Sequence, residues 1–596
     1  MNSLPERNQI EEKYKWKLED LYSGDEAFEE DFIKCETLVG EVDFLKDKMT
    51  SDAVILKQGL DLLEEIMCLA DNLYSYAKMR MDEDNANSKY QVLTARAYQL
   101  MVKADTATSF IEPALTVTDE SILNDAKLSK YDKYIHNVIR KKAHTLSDKE
   151  ERLLAMSGDA TNAADDIFSM FNNADLTFPE IKDEKGDMVR MTKGRYISFL
   201  ENKDRRVRKD AFHAMYDTYS NYKNTLAASF TSSIKARKFY ADARRYGSSL
   251  EAALFEDNIG VEVYENLVRT VNANLPALHR YVEVRADLLG LDKANMYDLY
   301  VPLVETDDSK HSYEKACKMV KEGLHALGEE YAGILEKGFS SGWIDVYESK
   351  GKTSGAYSWG TYLSHPYVLL NYQGTLDDVF TLAHEMGHSL HSYYSCQAQP
   401  YVYSRYKIFV AEVASTVNEI LLLKDMIGKI SDKNSLAYLL NHFLESFRGT
   451  VFRQTMFAEF EKETHMSYQK GIPLSCDDIC DLYYNLNRKY FGDRCDVDDK
   501  IRFEWSRIPH FYSSFYVYKY ATGFSAAAAI ADMIEKEGAP AVERYIEFLK
   551  TGDRLYPLDA LLKVGVDLSR PEPIEKGMKM FSDLLDAFER TMKEKG

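Results

Sequence analysis

The segment His384-Glu385-Met386-Gly387-His388 carries the residue types of a metal-dependent hydrolase. Two histidines four residues apart on a helix point the same way, so both imidazoles can reach one cation at about 2 Å. Glu385 then lies on the neighbouring flank, where it can take a proton from a metal-bound water. The spacing predicts a zinc metallopeptidase. Two buried histidines beside an incidental glutamate are the alternative.

Zinc needs at least a third protein ligand. A longer form of the motif would place glycine and histidine three and six residues after His388, but His391 and Tyr394 stand there, which excludes that form. Ligands at 384, 388 and 391 of one straight helix would span about 10 Å, too far for one ion. We therefore expect His391 to support the ligands from behind or to line the cleft.

The helix predicted over 405–427 carries a polar stripe on an apolar background, formed by Glu412, Ser415, Thr416 and Glu419. Burying a carboxylate is costly unless it is paired or bound to a metal. We therefore predict Glu412 as the third ligand and Glu419 as the acceptor that orients a ligand histidine. A solvent-facing helix edge is the alternative explanation of the stripe.

A histidine and several tyrosines follow one another in the segment 508–520. Tyr512, Tyr516 and Tyr520 recur every four residues, which is the spacing of an aromatic core stripe. His510 followed by tyrosine hydroxyls also fits donors that line an active site and stabilise an oxyanion. Spacing alone leaves both interpretations open.

Composition narrows the class of protein. The 596 residues include 75 Lys and Arg against 96 Asp and Glu, and the net charge of −21 disfavours nucleic acid and anionic membranes as partners. Seven scattered cysteines indicate reduced thiols rather than a disulfide framework. The charged N-terminus lacks a signal-peptide stretch, and no window approaches the roughly 18 apolar residues of a membrane helix. We predict a cytoplasmic protein.

Helical periodicity dominates the chain, so we predict a mostly α fold, with helices in the stretches 53–82, 84–110, 146–173 and 200–245. Thr375, with Asp378 three residues later, is expected to cap the helix that carries the metal motif.

Two regions are predicted to form strands. Leu176–Ile181 and Met188–Met191 flank a turn and should pair as a hairpin. Asp298–Leu303, Tyr357–Tyr362 and Tyr367–Tyr372 should form a small sheet before the metal motif.

Three domains follow from these patterns. Residues 1–115 are predicted as a helical N-terminal domain, and residues 116–195 as a second helical unit with the hairpin. Residues 196–596 are predicted as the catalytic domain.

The block from His365 to His388 resembles oligoendopeptidase F, a family that belongs with thimet oligopeptidase and neurolysin. Further segments resemble the same family: Trp16–Tyr22, Phe409–Glu419, Pro509–Tyr512 with Phe515–Tyr518, and 565–573. The resemblance therefore extends over nearly the whole chain. One departure is that the tyrosine spacing after His510 is shorter than in the thimet branch.

The resemblance implies a two-lobed helical zincin-type peptidase with a deep central channel, one zinc ion per chain and short unfolded peptides as substrates. By family pattern, the ligands are His384, His388 and Glu412, and Glu385 is the base. The same pattern implies that the substrate backbone and the oxyanion are bound by His510, Tyr512, Tyr516 and Tyr518. It also implies that the strand around Tyr367–Tyr372 pairs with the peptide as an added strand.

The predicted function is therefore a zinc oligoendopeptidase, with two alternatives. A metallocarboxypeptidase on the same scaffold would need a fixed positive group to bind a terminal carboxylate. A non-catalytic peptide-binding protein with a structural zinc would not need a base at Glu385, which argues against it.

Overall fold

Helices make up most of the computed structural model, which describes residues 4–305 and 310–595. The helices before residue 300 are α1 Asp25–Glu41, α2 Ala53–Glu83, α3 Ser88–Thr108, α4 Ile111–Val117, α5 Glu120–Leu123, α6 Asp132–Lys141, α7 Asp148–Met156, α8 Gly158–Met170, α9 Lys193–Leu200, α10 Arg205–Ser220, α11 Lys223–Ala243, α12 Ser249–Phe255, α13 Val261–Ala273 and α14 Leu275–Leu288. The later helices are α15 Tyr313–Gly323, α16 Gly328–Ser340, α17 Leu376–Ala398, α18 Tyr401–Ser404, α19 Ile408–Lys429, α20 Lys433–Phe447, α21 Arg453–Gln469, α22 Cys476–Phe491, α23 Tyr518–Glu537, α24 Ala539–Leu549, α25 Pro557–Val564 and α26 Glu572–Lys595. The mostly α prediction is confirmed. None of these helices, within the described ranges, is both long and apolar enough to cross a membrane.

Short strands accompany the helices: β1 Glu180–Lys182, β2 Met188–Arg190, β3 Ala294–Asn295, β4 Ile344–Asp345, β5 Tyr357–Trp359, β6 Tyr367–Leu369 and β7 Cys495–Asp496. β1 and β2 pair antiparallel around a turn in which Gly186 has a φ of 89°. The predicted hairpin is therefore confirmed, with shorter strands than the sequence suggested.

The chain forms two compact units, and each draws on three separate stretches of sequence. Unit 1 comprises Met1–Ala143, Asp308–Met426 and Ile530–Gly565. Unit 2 comprises His144–Asp307, Ile427–Ala529 and Val566–Gly596. These units describe packing, and the three-domain division of the sequence stays a prediction.

The small sheet before the metal motif lies in unit 1 and has the strand order β4-β6-β5. β6 pairs parallel with β4 on one side and antiparallel with β5 on the other. The expectation that the strand around Tyr367–Tyr372 accepts a peptide as an added strand is therefore wrong, because both edges of β6 are already paired. The two edge strands of this sheet are β4 and β5.

A buried lysine fastens this sheet to the segment that follows β4. The Lys352 side chain is 0% exposed, and its Nζ donates to the carbonyl oxygens of Tyr347 and Leu370 at 2.8 and 2.5 Å. The same Nζ lies 2.7 Å from Asp345, whose carboxylate also binds Arg7 at 2.7 Å. A buried ammonium is stable only with such a full set of oxygen partners.

The strand predicted over Asp298–Leu303 is not present. Asp298 instead ends a 3₁₀ turn, Met296–Asp298, and its carboxylate accepts from the backbone N–H of Asn295 at 2.9 Å. The same buried carboxylate binds Arg205 and Arg208, each at 2.8 Å. The prediction was wrong because this acid closes a capping turn and pairs with arginines, which a β-propensity pattern does not register.

The core of unit 2 contains a cluster of aromatic rings contributed by distant segments. The ring of Phe230 stacks on Phe460 at 5.8 Å and approaches Phe511 at 6.0 Å. Phe511 also packs on Phe460 at 5.0 Å. These contacts anchor the 3₁₀ turn Pro509–Tyr512, and with it His510, to helices α11 and α21.

Candidate metal centre and active site

Helix α17 presents the two histidines of the metal motif. Its N-terminus is closed by a capping box in which Thr375 Oγ1 accepts from the backbone N–H of Asp378 at 3.2 Å, and Asp378 accepts from that of Thr375 at 2.8 Å. This confirms the predicted cap. One turn apart on this helix, the Nε2 atoms of His384 and His388 lie 3.1 Å from each other.

Glu412 on α19 completes a group of three potential metal ligands in unit 1. Its Oε2 lies 3.4 Å from His384 Nε2 and 3.7 Å from His388 Nε2. Tetrahedral ligands about 2.05 Å from one zinc ion are about 3.3 Å apart, so this spacing fits one small divalent cation. Among the described residues, these three form the group able to hold a metal ion.

Close packing of α17 against α19 sets the distance between the ligands. A Cβ on Gly387 would lie 2.5 Å from the Cα of Ser415 and 2.8 Å from the carbonyl oxygen of Ala414. Nearby, the Asn418 side chain donates to the carbonyl oxygen of Ala383 at 3.1 Å. Gly387 and Asn418 were not among the predicted site residues, although a glycine within a helix and an asparagine on an apolar face are signals that the sequence contains.

Glu419 holds the first histidine from the side opposite to Glu412. The Nδ1–H of His384 donates to Glu419 Oε1, and Nε2 faces His388 and Glu412. Burial would lower the pKa of His384, but Glu412 and Glu419 outweigh this and raise it to about 10. This concentration of negative charge around the imidazoles favours a cation at the centre.

Glu385, the predicted base, is nearly buried and interacts electrostatically with His384 and Glu412. It is 8% exposed, and the backbone N–H of Ser358 in β5 faces its carboxylate. Burial raises the pKa of Glu385 to about 7, with Glu412 and Glu419 contributing through their charge. Strand β5 therefore lies beside the residue predicted to move the proton, a contact that was not predicted from the sequence.

His391 lies behind the ligand group and is not part of it. Its ring stacks on that of Tyr406 at 3.6 Å with an interplanar angle of 1°. The Tyr406 hydroxyl in turn donates to the carbonyl oxygen of His388 at 3.4 Å. Burial lowers the pKa of His391 to about 3, so the ring is neutral in the folded protein.

His510 and the tyrosines that follow it belong to unit 2. The structure brings three rings of this segment together: His510 lies parallel to Tyr516 at 6.1 Å, and Tyr520 meets both rings edge-on at 6.1 and 5.4 Å. Burial lowers the pKa of His510. These three rings are half-buried, whereas Tyr512 and Tyr518 of the same segment are buried.

Tyr512 and Tyr518 point into packed surroundings. Tyr512 stacks on Phe168 at 4.4 Å, and burial raises its pKa to about 12. Tyr518 packs against Tyr264 at 5.0 Å, and its side chain is fully buried. The roles predicted for both tyrosines stay predictions.

The loop that joins these residues contains a strained position. Phe515 has a backbone φ of 61°, a value that residues other than glycine rarely adopt. Its backbone N–H donates to Glu461 Oε1 at 2.9 Å, and Glu461 is fully buried on α21. Burial raises the pKa of Glu461 to about 8. Such strain persists where the surroundings hold it, and here a buried acid does so.

Two family models match the chain. The model described as Peptidase family M3 matches residues 198–580, and that described as Oligopeptidase F matches residues 118–178. The chain belongs to peptidase family M3. As a member of that family it is a metalloendopeptidase that hydrolyses peptides.

Individual M3 relatives resemble the chain over nearly its full length. It is 47% identical to Oligopeptidase PepF of Bacillus subtilis, covering 99% of this chain and 89% of the relative. It is 40% identical to Group B oligopeptidase PepB of Streptococcus agalactiae, covering 97% of each. The crystal structure of oligoendopeptidase-F from Enterococcus faecium superposes with a TM-score of 0.73 at 37% identity, over 96% of this chain and 99% of that one.

Proposed function

We propose that this M3 peptidase is a zinc-dependent oligoendopeptidase that cleaves internal bonds of short unfolded peptides, with one zinc ion per chain. His384, His388 and Glu412 would hold the ion, and the convergence of their ligand atoms is the observation that carries the proposal. When bound, zinc would supply a Lewis acid that acidifies water and polarises a carbonyl.

Glu385 is proposed as the general base. Burial raises the pKa of this carboxyl group, which helps it to accept a proton and to donate it later to the leaving amine. Glu419 would keep one proton of His384 on Nδ1, so that Nε2 is the nitrogen that exchanges its proton for the ion.

Strand β5 is proposed to position the substrate. It is an edge strand of its sheet, and the backbone N–H of Ser358, which is hydrogen-bonded to Glu385, lies on the side away from β6. A peptide added along β5 would run past the proposed base with its backbone hydrogen-bonded. His510, Tyr512, Tyr516 and Tyr518 are proposed as further donors to the substrate backbone and the oxyanion.

We also propose that the enzyme works in the cytoplasm and has no nucleic-acid partner. The seven cysteines are all free thiols in the structure, as is typical of a reducing compartment. The net charge of −21 disfavours binding to phosphate backbones.

Metal analysis and cleavage of an internally quenched peptide blocked at both ends test the proposal. We expect about one zinc per chain, internal cleavage, loss of activity with a chelator and recovery with zinc. Glu385→Gln should keep the metal and lower kcat by at least about 10²–10⁴-fold. The exposed Glu329→Gln serves as the matched control and should behave as the wild type. Normal turnover by Glu385→Gln would refute the assignment of the base.

A further inference from the structure

A cavity of about 510 Å³ opens in unit 2 beside the loop that follows His510. Its wall includes Ser513 and Tyr516 from that loop and the basic residues Arg237, Arg244 and Lys519. None of the described residues that line it is acidic. The chain as a whole has a net charge of −21, so a lining with basic and no acidic side chains stands out from the rest of the protein.

Two of the three basic groups are already neutralised. Arg244 forms a bidentate salt bridge with Glu151, in which Nη1 and Nη2 donate to the two carboxylate oxygens at 2.7 and 2.9 Å. Lys519 Nζ lies 2.7 Å from Asp257 Oδ2. These pairs keep both cations in place, but they leave little positive charge for a ligand.

Arg237 remains the available cation. Within residues 4–305 and 310–595, no carboxylate lies within ion-pair distance of it. Its Nη2 donates to the backbone carbonyl oxygen of Tyr512 at 3.3 Å, and the side chain is otherwise open to solvent. One hydrogen bond thus orients the guanidinium while most of its N–H groups stay free.

We infer that this cavity is a subsite for a carboxylate of the peptide substrate, bound by Arg237. A guanidinium matches a carboxylate with two parallel hydrogen bonds, and the hydroxyls of Ser513 and Tyr516 supply neutral donors in the same wall. The carboxylate comes either from the C-terminus of a short peptide or from an acidic side chain. The inference rests on the proposed function, because Tyr512 and Tyr516 belong to the loop proposed to bind substrate.

The predicted signature is in KM rather than kcat. A contact with a group that does not react is equally strong in the ground state and the transition state, so its loss weakens binding without slowing the chemical step. A charged hydrogen-bonded pair contributes enough to change affinity by at least about tenfold.

Three versions of one quenched peptide separate the possible outcomes: a free C-terminus, a C-terminal amide, and an amide with an added Glu near the C-terminal end. We expect the wild type to show a KM about tenfold lower for the free acid than for the amide. Arg237→Gln should remove this difference and leave kcat and the amide's KM unchanged. If the Glu-containing amide alone loses affinity in Arg237→Gln, the bound carboxylate is that of a side chain.

Controls distinguish this subsite from general effects. Lys238→Gln removes the same charge from the next position of α11, where the lysine pairs with Asp242, and should retain the wild-type preference. Arg237→Lys keeps the positive charge but cannot form two parallel hydrogen bonds to a carboxylate. For the free acid it should give a KM between those of the wild type and Arg237→Gln. Equal KM values for all three peptides in the wild type would overturn the inference without involving any variant. Failure of the wild type to cleave any of them would overturn the proposed function itself.

Discussion

His384 is held between two carboxylates that act on different ring atoms. Glu412 lies 3.4 Å from Nε2, whereas Glu419 accepts the proton of Nδ1. The contact with Glu419 sets the direction of the ring and keeps a proton on Nδ1. Nε2 is therefore the atom that would give up its proton when an ion binds. Glu419 therefore supports the proposed metal site through a histidine.

Glu419→Gln is expected to weaken zinc binding by about 10–100-fold. The amide oxygen still accepts the Nδ1–H, but it lacks the negative charge that makes the imidazole a stronger metal ligand. Competition against a chromophoric chelator measures the affinity. Glu543→Gln, an exposed change in the same unit, should leave it unchanged. Wild-type zinc affinity in Glu419→Gln would show that the contact does not support the ion.

At the scale of elements, α17 and α19 act as a matched pair. Gly387 lets their backbones approach, and Asn418 joins them through a buried hydrogen bond to Ala383. The Asn418 Oδ1 itself accepts from Tyr331 at 2.9 Å, which connects α16 to the same junction. Glu412, the proposed third ligand, is thus placed by the packing of α19 against α17.

Gly387→Ala is expected to separate the two helices, because the new Cβ would overlap the backbone of Ser415. Overpacking of this kind typically costs about 1–3 kcal/mol. The displacement should also lower zinc affinity and kcat together. Thermal unfolding, zinc competition and peptide cleavage measure the three effects.

Gly333→Ala is the control, since a Cβ there has nothing within 4 Å and the residue lies within α16. It should leave activity intact and favour the helix slightly. Unchanged zinc affinity in Gly387→Ala would mean that the spacing of α17 and α19 does not control the site.

At the scale of the whole molecule, a buried acid makes stability depend on pH. Burial raises the pKa of Glu461 to about 8, so the folded protein holds this proton more tightly than the unfolded chain. The stabilisation is complete below the ordinary glutamate pKa and is lost progressively as the pH rises to about 8. Its Oε1 still accepts from Phe515 in either protonation state.

Glu461→Gln should keep that hydrogen bond and remove the titration. Relative to the wild type, the variant's free energy of unfolding should rise by about 1.4 kcal/mol per pH unit between pH 5 and 8. Above pH 8 the difference should stay constant. Melting temperatures of the zinc-loaded proteins across this range measure the gain. Glu463→Gln, an exposed change on the same helix, should follow the wild type at every pH. A constant gap between Glu461→Gln and the wild type would contradict the argument.

Local patterns in the sequence predicted the parts of the fold that depend on neighbouring residues. The cap at Thr375, the hairpin near Gly186 and the helical stretches all follow from short-range spacing and appear as expected. The proximity of Glu412 to the two histidines was also foreseen, because a buried carboxylate on an apolar helix requires a partner.

Features that depend on distant partners could not be foreseen in this way. The pairing of β6 on both edges depends on β4 and β5, which come from other parts of the sequence. Asp298 lies in a turn and not in a strand, and its carboxylate binds Arg205 and Arg208. The partner of Glu385, Ser358, comes from another element and reaches it only through the tertiary fold. The sequence identifies the reactive groups but not the neighbours that set their environment.

The buried position of Lys352 has a chemical consequence. Amine-directed reagents such as anhydrides would find this nitrogen surrounded by protein oxygens and would react first with the many lysines at the surface. A chain acylated at this nitrogen while unfolded would carry a bulkier, uncharged amide into a space shaped for an ammonium. The label would then mark molecules unable to return to the native state.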